Sequence, residues 1–503
     1  MTTFKHSVLN ISANDPLGLS GIQADSRAMS SMNVHCASII TATTAQTQHD
    51  FYDLNAVTKE AFKSQLDALY SQDIFSVIKV GLIADYNQAI ILNEHALLKQ
   101  KQIILDPVLA ASSGSIAQLS DRIKAIKLLM PMLSMITPNH DEVLALVGVA
   151  IDSADSLKKA AHEFMKLGVG SVLIKGGHGT NVMSAINRAD GCEDYFYSSS
   201  HCFYLSHDLH NREYSRGTGC ILASLISSAL AFGNSLADAV VMAKMQLDAG
   251  FRQRFKLDEN SGSLQPPTWQ DHLHFNGTQP LKIELPKVYG DAHEKSLIFQ
   301  PCEKSLGLYP VVDRAHWLKT LLPMGIKIIQ LRVKDLNGAA LKNEIQEAIN
   351  MARSFGVQLF INDYWQLAIE CNAYGIHLGQ EDIDDADLLA ISAAGLRLGL
   401  SSHCFFEVAR AKTINPSYIA FGPVYETQSK DMPWIPQGPA GLQYWRLHLP
   451  KTPLVAIGGI HGERFSDVKK TGVDAIAMIS AITEHNNPQQ AALYYKELFD
   501  SSD

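Results

Sequence analysis

Polar residues suited to phosphate chemistry recur in the C-terminal half of this chain, each at the end of a short apolar run. Gln330, Arg332 and Lys334 close the run at 326–332, and Asn362 and Asp363 close that at 357–363. Gly379, Gln380 and Asp382 follow the run at 375–380, and Ser401 and His403 close that at 397–403. Thr427, Ser429 and Lys430 follow the run at 418–425, Gly458 and Gly459 lie in that at 453–460, and Ser480 lies in that at 474–482. Arg332, Lys334 and Lys430 are cations for phosphate oxygens. Asp363 and Asp382 are two carboxylates suited to a Mg²⁺ that keeps waters and bridges phosphates. The glycine pair and Ser480 allow backbone N–H groups to approach an anion, and Thr427 and Ser429 offer hydroxyls to a second anionic group. Together they suit a magnesium diphosphate beside a monophosphate. Strand-end Asp and Asn also cap helices, so the weight rests on the whole set arriving in register rather than on any one residue.

The N-terminal half carries a second set. Arg216-Gly217-Thr218-Gly219-Cys220 precedes the apolar stretch ILASLISSALAFG. Glycines at a helix start let backbone N–H groups close on an anion. A cysteine at that N-terminus is expected to have a lowered thiol pKa. Cys220 could then take a proton from a substrate hydroxyl as it attacks ATP. A buried cysteine on a packed helix with a glycine entrance is the structural alternative. Asp106 ends the run LDPVL, Glu142 follows ITPN, and Lys175 precedes Gly176, Gly177 and His178. Carboxylates with Mg²⁺ at strand ends of an open α/β sheet suit nucleotide phosphates. His201, Cys202, His207 and His210 match no zinc spacing and are not read as a metal site.

The elements that must position these residues follow from the apolar pattern. The C-terminal half holds eight short apolar runs, at 306–312 and at the seven positions above. Most gaps between them read as helices, such as AALKNEIQEAINMARSFG with its stop at Gly356. Eight β-then-α units predict a closed (β/α)8 barrel, a TIM barrel, whose active site sits at the C-terminal strand ends. In the N-terminal half, runs at 7–12, 37–45, 76–83, 102–109, 133–139 and 171–177 alternate with helical stretches. This predicts a parallel sheet covered on both faces, with a hairpin in the less regular segment 192–214. The Pro-, Gly- and Asn-rich stretch 255–305 reads as a domain tail and linker.

Composition narrows the function classes. The 503 residues are 46% hydrophobic and 18% charged, which excludes a disordered or low-complexity protein. A net charge of −9 lacks the basic excess of a nucleic-acid binder. The seven dispersed cysteines contain no CxxC pair and read as a reducing compartment. The opening MTTFKHSVLN has no signal layout. The uncharged stretch Gly217–Leu236 is broken by four serines and falls short of a membrane span. The expectation is a soluble cytoplasmic protein acting on small molecules, with no nucleic acid and no membrane partner. Self-association as a homodimer is left open.

The stretches QLRVKD, FINDYWQLAI, YGIHLGQED, GLSSH, GPVYETQSK and VAIGGI closely resemble thiamine-phosphate synthase, over about 306–482. That family joins hydroxymethylpyrimidine diphosphate to thiazole phosphate and releases diphosphate. The resemblance implies that Gln330, Arg332, Lys334, Asn362, Ser401 and Lys430 bind the pyrimidine diphosphate. It implies Mg²⁺ at Asp363 and Asp382. It implies thiazole phosphate at Thr427, Gln428, Ser429, Gly458, Gly459, Ile479 and Ser480. Ser429 replaces a frequent Thr and keeps the hydroxyl. The family mechanism is dissociative: diphosphate leaves first, and the thiazole nitrogen attacks the resulting cation. His403 therefore reads mainly as structural.

The stretches SANDPLGLSGIQAD, TATTAQ, KVGL, LDPVL, ITPNHDE, LIKGGH and GTGC resemble hydroxymethylpyrimidine/phosphomethylpyrimidine kinase, of the ribokinase-like fold, over about 7–275. That family makes the diphosphate in two ATP-dependent steps. The resemblance implies that Asp25 and Gln46 contact the pyrimidine, and that Asp106, Glu142, Lys175, Gly217 and Gly219 handle Mg²⁺ and ATP phosphates. Cys220 would be the base. Ala13, Asn14, Leu17 and Leu19 depart from a Gly- and Ser-rich opening, Ser112 replaces a Lys, and Arg216 replaces a His. These departures leave a second reading open, in which this half is a non-catalytic pyrimidine-binding or dimerisation module. The expected division is a kinase-like domain at 1–275, a linker at 276–304 and a synthase-like barrel at 305–503.

Overall fold

The computed structural model describes residues 6–47, 50–72, 74–109, 116–176, 191–208, 210, 214–259, 261–269, 284–290, 297–302, 306–426 and 436–501. The chain divides into two compact units, Met1–His293 and Glu294–Asp503.

The strands of the first unit are β1 (Ser7–Ser12), β2 (His35–Ile40), β3 (Ala42–Gln46), β4 (Phe51–Ala56), β5 (Val77–Val80), β6 (Gln102–Leu105), β7 (Met135–Ile136), β8 (Ser171–Ile174), β9 (Gly191–Ser198), β10 (Cys202–Asp208), β11 (Phe255–Lys256), β12 (Gly262–Ser263) and β13 (Lys287–Tyr289). Nine form one sheet in the order β13-β10-β9-β8-β7-β6-β5-β1-β2. Pairing is parallel from β2 to β8 and antiparallel from β8 to β13. The central strands are buried and largely apolar because helices cover both faces, Lys79 of β5 and Asn10 of β1 being buried exceptions. Those helices carry their apolar residues at helical spacing. Ala154–Lys166, for example, buries Leu157, Ala160, Ala161 and Phe164 and is capped by Ser153.

Two local expectations change. The run at 37–45 is not one strand. Thr41 is buried, its N–H bonds the Ser12 carbonyl and its hydroxyl the Leu82 carbonyl, and the chain then leaves the sheet to form the separate β3–β4 hairpin. Within the stretch expected as linker, Lys287–Tyr289 pairs with β10 and extends the first unit's sheet. The Gly217–Leu236 stretch contains the helix Thr218–Ala231, whose Ile221–Leu230 segment is buried inside the unit. Ser227 and Ser228 satisfy their hydroxyls on the carbonyls of Ala223 and Ser224. Among the described residues no helix is long and apolar enough to cross a membrane.

The second unit closes eight parallel strands into a barrel: β14 (Gly307–Val312), β15 (Ile328–Leu331), β16 (Gln358–Asn362), β17 (Gly375–Leu378), β18 (Arg397–Ser402), β19 (Tyr418–Phe421), β20 (Leu454–Ile457) and β21 (Ala475–Met478). Each falls on an expected run. The two-residue period of a strand sets the layers of the interior. Tyr309, Ile328, Phe360, Tyr418, Val455 and Ala475 belong to one buried cluster. Gly375 and Gly399 make room for the rings, since a Cβ there would lie 2.5 Å from Phe360 Cε1 and 2.2 Å from Tyr418 Cζ. Two residues further along the same strands come Gln330, Asn362, His377 and Ser401. The alternation that builds an apolar floor thus presents polar side chains above it.

Candidate active sites

In the first unit the site forms where β6, β7 and β8 end. Asp106, Thr137 and Lys175 follow these strands directly, and Lys175 bridges to Asn139. Lys175 Nζ lies 2.8 Å from Asp106 Oδ1 and 3.8 Å from Glu142 Oε2. Thr137 Oγ1 donates to Asp106 at 3.3 Å. Glu142 is held by the capping box of its own helix: it accepts from the Asn139 N–H, and Asn139 accepts from the Glu142 N–H. Burial, reinforced by Asp106 and offset by Lys175, raises the Glu142 carboxyl to about 7. Burial opposes ionisation of Asp106, but Lys175 and Lys79 outweigh it and hold the carboxyl below its usual range.

The helix Thr218–Ala231 points its first turn at these charges. A Cβ on Gly219 would lie 3.3 Å from both Asp106 Oδ2 and Lys175 Nζ. Gly217 has φ +78°, and a Cβ there would meet the Leu19 carbonyl at 2.2 Å, so only glycine makes this turn against the opening loop. Behind Cys220 sits a buried ion pair. Lys79 Nζ lies 2.7 Å from Asp25 Oδ2, both side chains are fully buried, and Ser224 donates to Asp25 Oδ1 at 2.8 Å.

The opening loop is closed by its own hydrogen bonds. Buried Asp15 accepts from the Ser20 N–H, the Ser20 hydroxyl and the Leu17 N–H. Asn14 Oδ1 accepts from the Thr44 N–H at 3.1 Å and ties the loop to the β3–β4 hairpin. On the other side, Arg216 donates to Gln46 Oε1 at 2.6 Å and to the Thr47 carbonyl at 2.8 Å. The hairpin is thereby fastened over the glycine turn.

In the second unit the site lies at the C-terminal strand ends. Gln330 Nε2 donates to Asn362 Oδ1 at 2.8 Å, and Lys334 Nζ lies 2.5 Å from Asp363 Oδ2. Half-buried Arg332 lies between Gln330 and Lys334 in sequence, just past the end of β15. Asp363 adopts φ +66°, with its N–H bonded to the His377 carbonyl. Asp382 accepts from the Gly379 N–H at 3.0 Å. Burial first, then the Asp363 charge and a direct carboxyl contact, raise the Asp382 pKa. A carboxyl raised by a second carboxylate beside it suits a divalent cation. Ser401 Oγ lies 2.8 Å from His377 Nε2, and Gln380 Nε2 donates to the Ser401 carbonyl. Gly458 and Gly459 follow β20, and Ile479 and Ser480 follow the adjoining β21. Gly459 has φ +65°, and a Cβ there would meet the Glu426 carbonyl at 2.5 Å.

Comparison with known proteins assigns both units. The thiamine monophosphate synthase family model matches residues 308–482. The thiamine-phosphate synthase of Proteus mirabilis is 50% identical over 200 residues, which is 40% of this chain and 93% of that protein. That of Pectobacterium atrosepticum is 52% identical over 194 residues, covering 38% of this chain and 91% of that protein. The chain belongs to the thiamine-phosphate synthase family. The phosphomethylpyrimidine kinase family model matches residues 15–265, so the synthase domain is fused behind a kinase-family domain. Among solved structures, the phosphomethylpyrimidine kinase of Clostridium difficile is 27% identical, covering 48% of this chain and 98% of that one, with a TM-score of 0.41. The pyridoxal kinase of Staphylococcus aureus with ADP is 23% identical, covering 56% of this chain and 98% of that one, with a TM-score of 0.48.

Within the kinase-family domain the structure gathers Asp106, Glu142, Lys175, Gly217, Gly219 and Cys220. Two expectations are corrected. Asp25 does not face a ligand, because its oxygens are taken by Lys79 and Ser224 beneath the surface. The Cys220 thiol is not lowered in the free protein. Burial pushes it up to about 12, Asp25 and Asp106 add to the rise, and Lys79 only partly offsets it. Gln46 does lie on the hairpin, with its amide held by Arg216 and Thr44. Ser112, Gly177 and His178 lie outside the described residues.

Within the synthase-family domain Gln330, Arg332, Lys334, Asn362, Asp363, Asp382 and Ser401 come together as above. Thr427, Gln428, Ser429 and Lys430 lie outside the described residues. His403 is held by Glu407 at 2.7 Å just before the helix Phe405–Ile414. Among the described residues no cluster of three or more metal-ligating side chains occurs. His207 and His210 bond the Glu284 carbonyl and Asp248 respectively. Sequence reasoning missed Lys79, Thr137 and His377. Lys79 left a signal, a charge inside the buried strand VIKV. His377 left one too, the inward register it shares with Gly375.

Proposed function

We propose that this chain is a bifunctional transferase of thiamin biosynthesis. The kinase-family domain phosphorylates hydroxymethylpyrimidine or its phosphate with ATP. The synthase-family domain couples the resulting diphosphate to thiazole phosphate, giving thiamin phosphate and diphosphate. The observation that carries this reading is the fusion itself: two families of consecutive reactions matched on one chain.

In the kinase domain the glycine turn supplies N–H groups to the transferred phosphoryl, and Lys175 binds phosphate oxygens. Asp106 and Glu142 would hold Mg²⁺, which neutralises nucleotide phosphate charge when bound. Cys220 accepts the substrate hydroxyl proton. With its pKa raised in the free protein the thiol is protonated, so to act as base it must first give up that proton, which the helix N–H groups and the Mg²⁺ that Asp106 and Glu142 would hold would favour.

In the synthase domain Arg332, Lys334 and Lys430 stabilise the charge that develops on the leaving diphosphate. Asp363 and Asp382 would hold Mg²⁺, which adds positive charge to the same oxygens. Gln330, Asn362 and Ser401 hold the pyrimidine. Thr427, Gln428, Ser429, Gly458, Gly459, Ile479 and Ser480 seat the thiazole phosphate. The thiazole nitrogen attacks without its own proton to lose, so no general base is required.

The test supplies the purified chain with thiazole phosphate, Mg²⁺ and either the pyrimidine monophosphate with ATP or the preformed diphosphate without it. Thiamin phosphate from both, with only the first abolished by Cys220→Ala, supports the reading. Product from the diphosphate alone would make the first domain a binding module, and product from neither would refute the assignment.

A further inference from the structure

A chain of hydrogen bonds runs through the barrel interior to the synthase-domain site. Tyr309 Oη lies 2.8 Å from Tyr418 Oη, Tyr418 Oη lies 2.7 Å from His377 Nδ1, and His377 Nε2 lies 2.8 Å from Ser401 Oγ. Tyr309 and Tyr418 are fully buried, and His377 is 7% exposed. The rings form a packed unit: Tyr309 and Tyr418 meet edge to face at 5.9 Å, and His377 stacks on Tyr418 at 5.7 Å.

The direction of every proton in this chain follows from its closed end. Among the described residues the Tyr309 hydroxyl has Tyr418 as its one hydrogen-bond partner. A buried O–H without an acceptor costs about 1–3 kcal/mol, so Tyr309 donates to Tyr418. Tyr418 then directs its own proton to His377 Nδ1, which must be the unprotonated nitrogen. An imidazole that accepts at Nδ1 is neutral. Its proton therefore sits on Nε2 and is donated to Ser401 Oγ. With an acceptor lone pair of Ser401 occupied from below, its own proton is directed away from the ring, toward the barrel mouth.

We propose that His377 is a positioning residue that holds the Ser401 hydroxyl as a hydrogen-bond donor to the ligand in the synthase-domain site. The group that accepts from Ser401 is then a lone pair of the pyrimidine substrate, a ring nitrogen or a phosphate oxygen, and a substrate analogue with a C–H in that place is discriminated against. This rests on the synthase reading for the identity of the ligand, but the tautomer does not.

The full chain labelled with ¹⁵N-histidine is examined by long-range ¹H–¹⁵N correlation at pH 7.5. His377 is identified by its absence in His377→Gln, or by its displacement in Tyr418→Phe. The expected result is an Nε2–H ring with bare Nδ1. An Nδ1–H ring or an imidazolium overturns the proposal whether or not the enzyme assignment holds. In kinetics, His377→Leu lowers kcat/KM for the pyrimidine diphosphate at least tenfold and leaves KM for thiazole phosphate unchanged. His377→Gln, whose amide N–H can replace Nε2–H, recovers most of the loss. Ser401→Ala matches His377→Leu, and the double variant is no worse than either. Full activity in a folded His377→Leu protein also overturns the proposal. If His377→Leu does not fold, the tautomer of the unmutated chain decides.

Discussion

The guanidinium of Arg216 binds Gln46 Oε1 at 2.6 Å and the Thr47 carbonyl at 2.8 Å, joining the β3–β4 hairpin to the glycine turn. The histidine usual at this place in the kinase family is shorter and could not span both acceptors with one planar fork.

Arg216→Ala should release the hairpin and loosen the grip on the pyrimidine. KM for the pyrimidine substrate of the kinase reaction should rise about fivefold, the equivalent of about 1 kcal/mol for partly exposed charge-assisted bonds. The synthase reaction assayed on preformed diphosphate should be unchanged.

Lys175→Met should leave Asp106 buried without its partner at 2.8 Å. The kinase reaction should fall about a hundredfold or more, as expected for a lost phosphate-stabilising donor. Steady-state assays of the two half-reactions on one preparation would separate this from general damage.

The Cys220 thiol, raised to about 12, should be a slow nucleophile. Thiolate is the reactive form, so its fraction at pH 7.5 lies about a thousandfold below that of a thiol of pKa 9. Mass-spectrometric measurement of iodoacetamide labelling should show Cys220 lagging the exposed Cys202. Its rate should still climb tenfold per pH unit above pH 9. A plateau near neutrality would contradict the raised pKa.

Gly399→Ala should destabilise the barrel, because the new Cβ would fall 2.2 Å from Tyr418 Cζ. Overpacking of this kind costs about 1–3 kcal/mol. Calorimetry should show a lowered transition for the synthase domain alone.

His377 should give the synthase domain a pH-dependent stability. Its folded pKa of about 4 lies below the unfolded value of 6.5. The unfolded chain therefore binds the proton first. Stability is full above pH 6.5, falls as the pH drops toward 4, and is lost by up to about 3 kcal/mol. Urea titrations of the unmutated chain and His377→Gln should differ in slope across that window.

Much of this protein was legible without coordinates. Eight apolar runs of strand length separated by helical stretches can hardly close in another way, because each strand buries both faces and each crossover needs a helix. The strand-end positions of Asp106, Lys175, Arg332, Lys334 and Asp363 followed from that pattern, since a polar residue ending an apolar run must emerge at the sheet's edge. Tertiary structure decided the rest, because burial and pairing depend on what other segments bring. Nothing in the sequence near Asp25 signals its buried partner Lys79, 54 positions away in sequence and 2.7 Å across in the fold. Cys220 read as an acidic thiol from its helix N-terminus, but desolvation outweighs that local field. Segment 276–304 read as linker because three residues of edge strand carry too little periodicity to see. His377 acquired meaning only from Tyr309 and Tyr418, which lie 68 and 41 positions away in sequence and meet it through the curvature of a closed barrel.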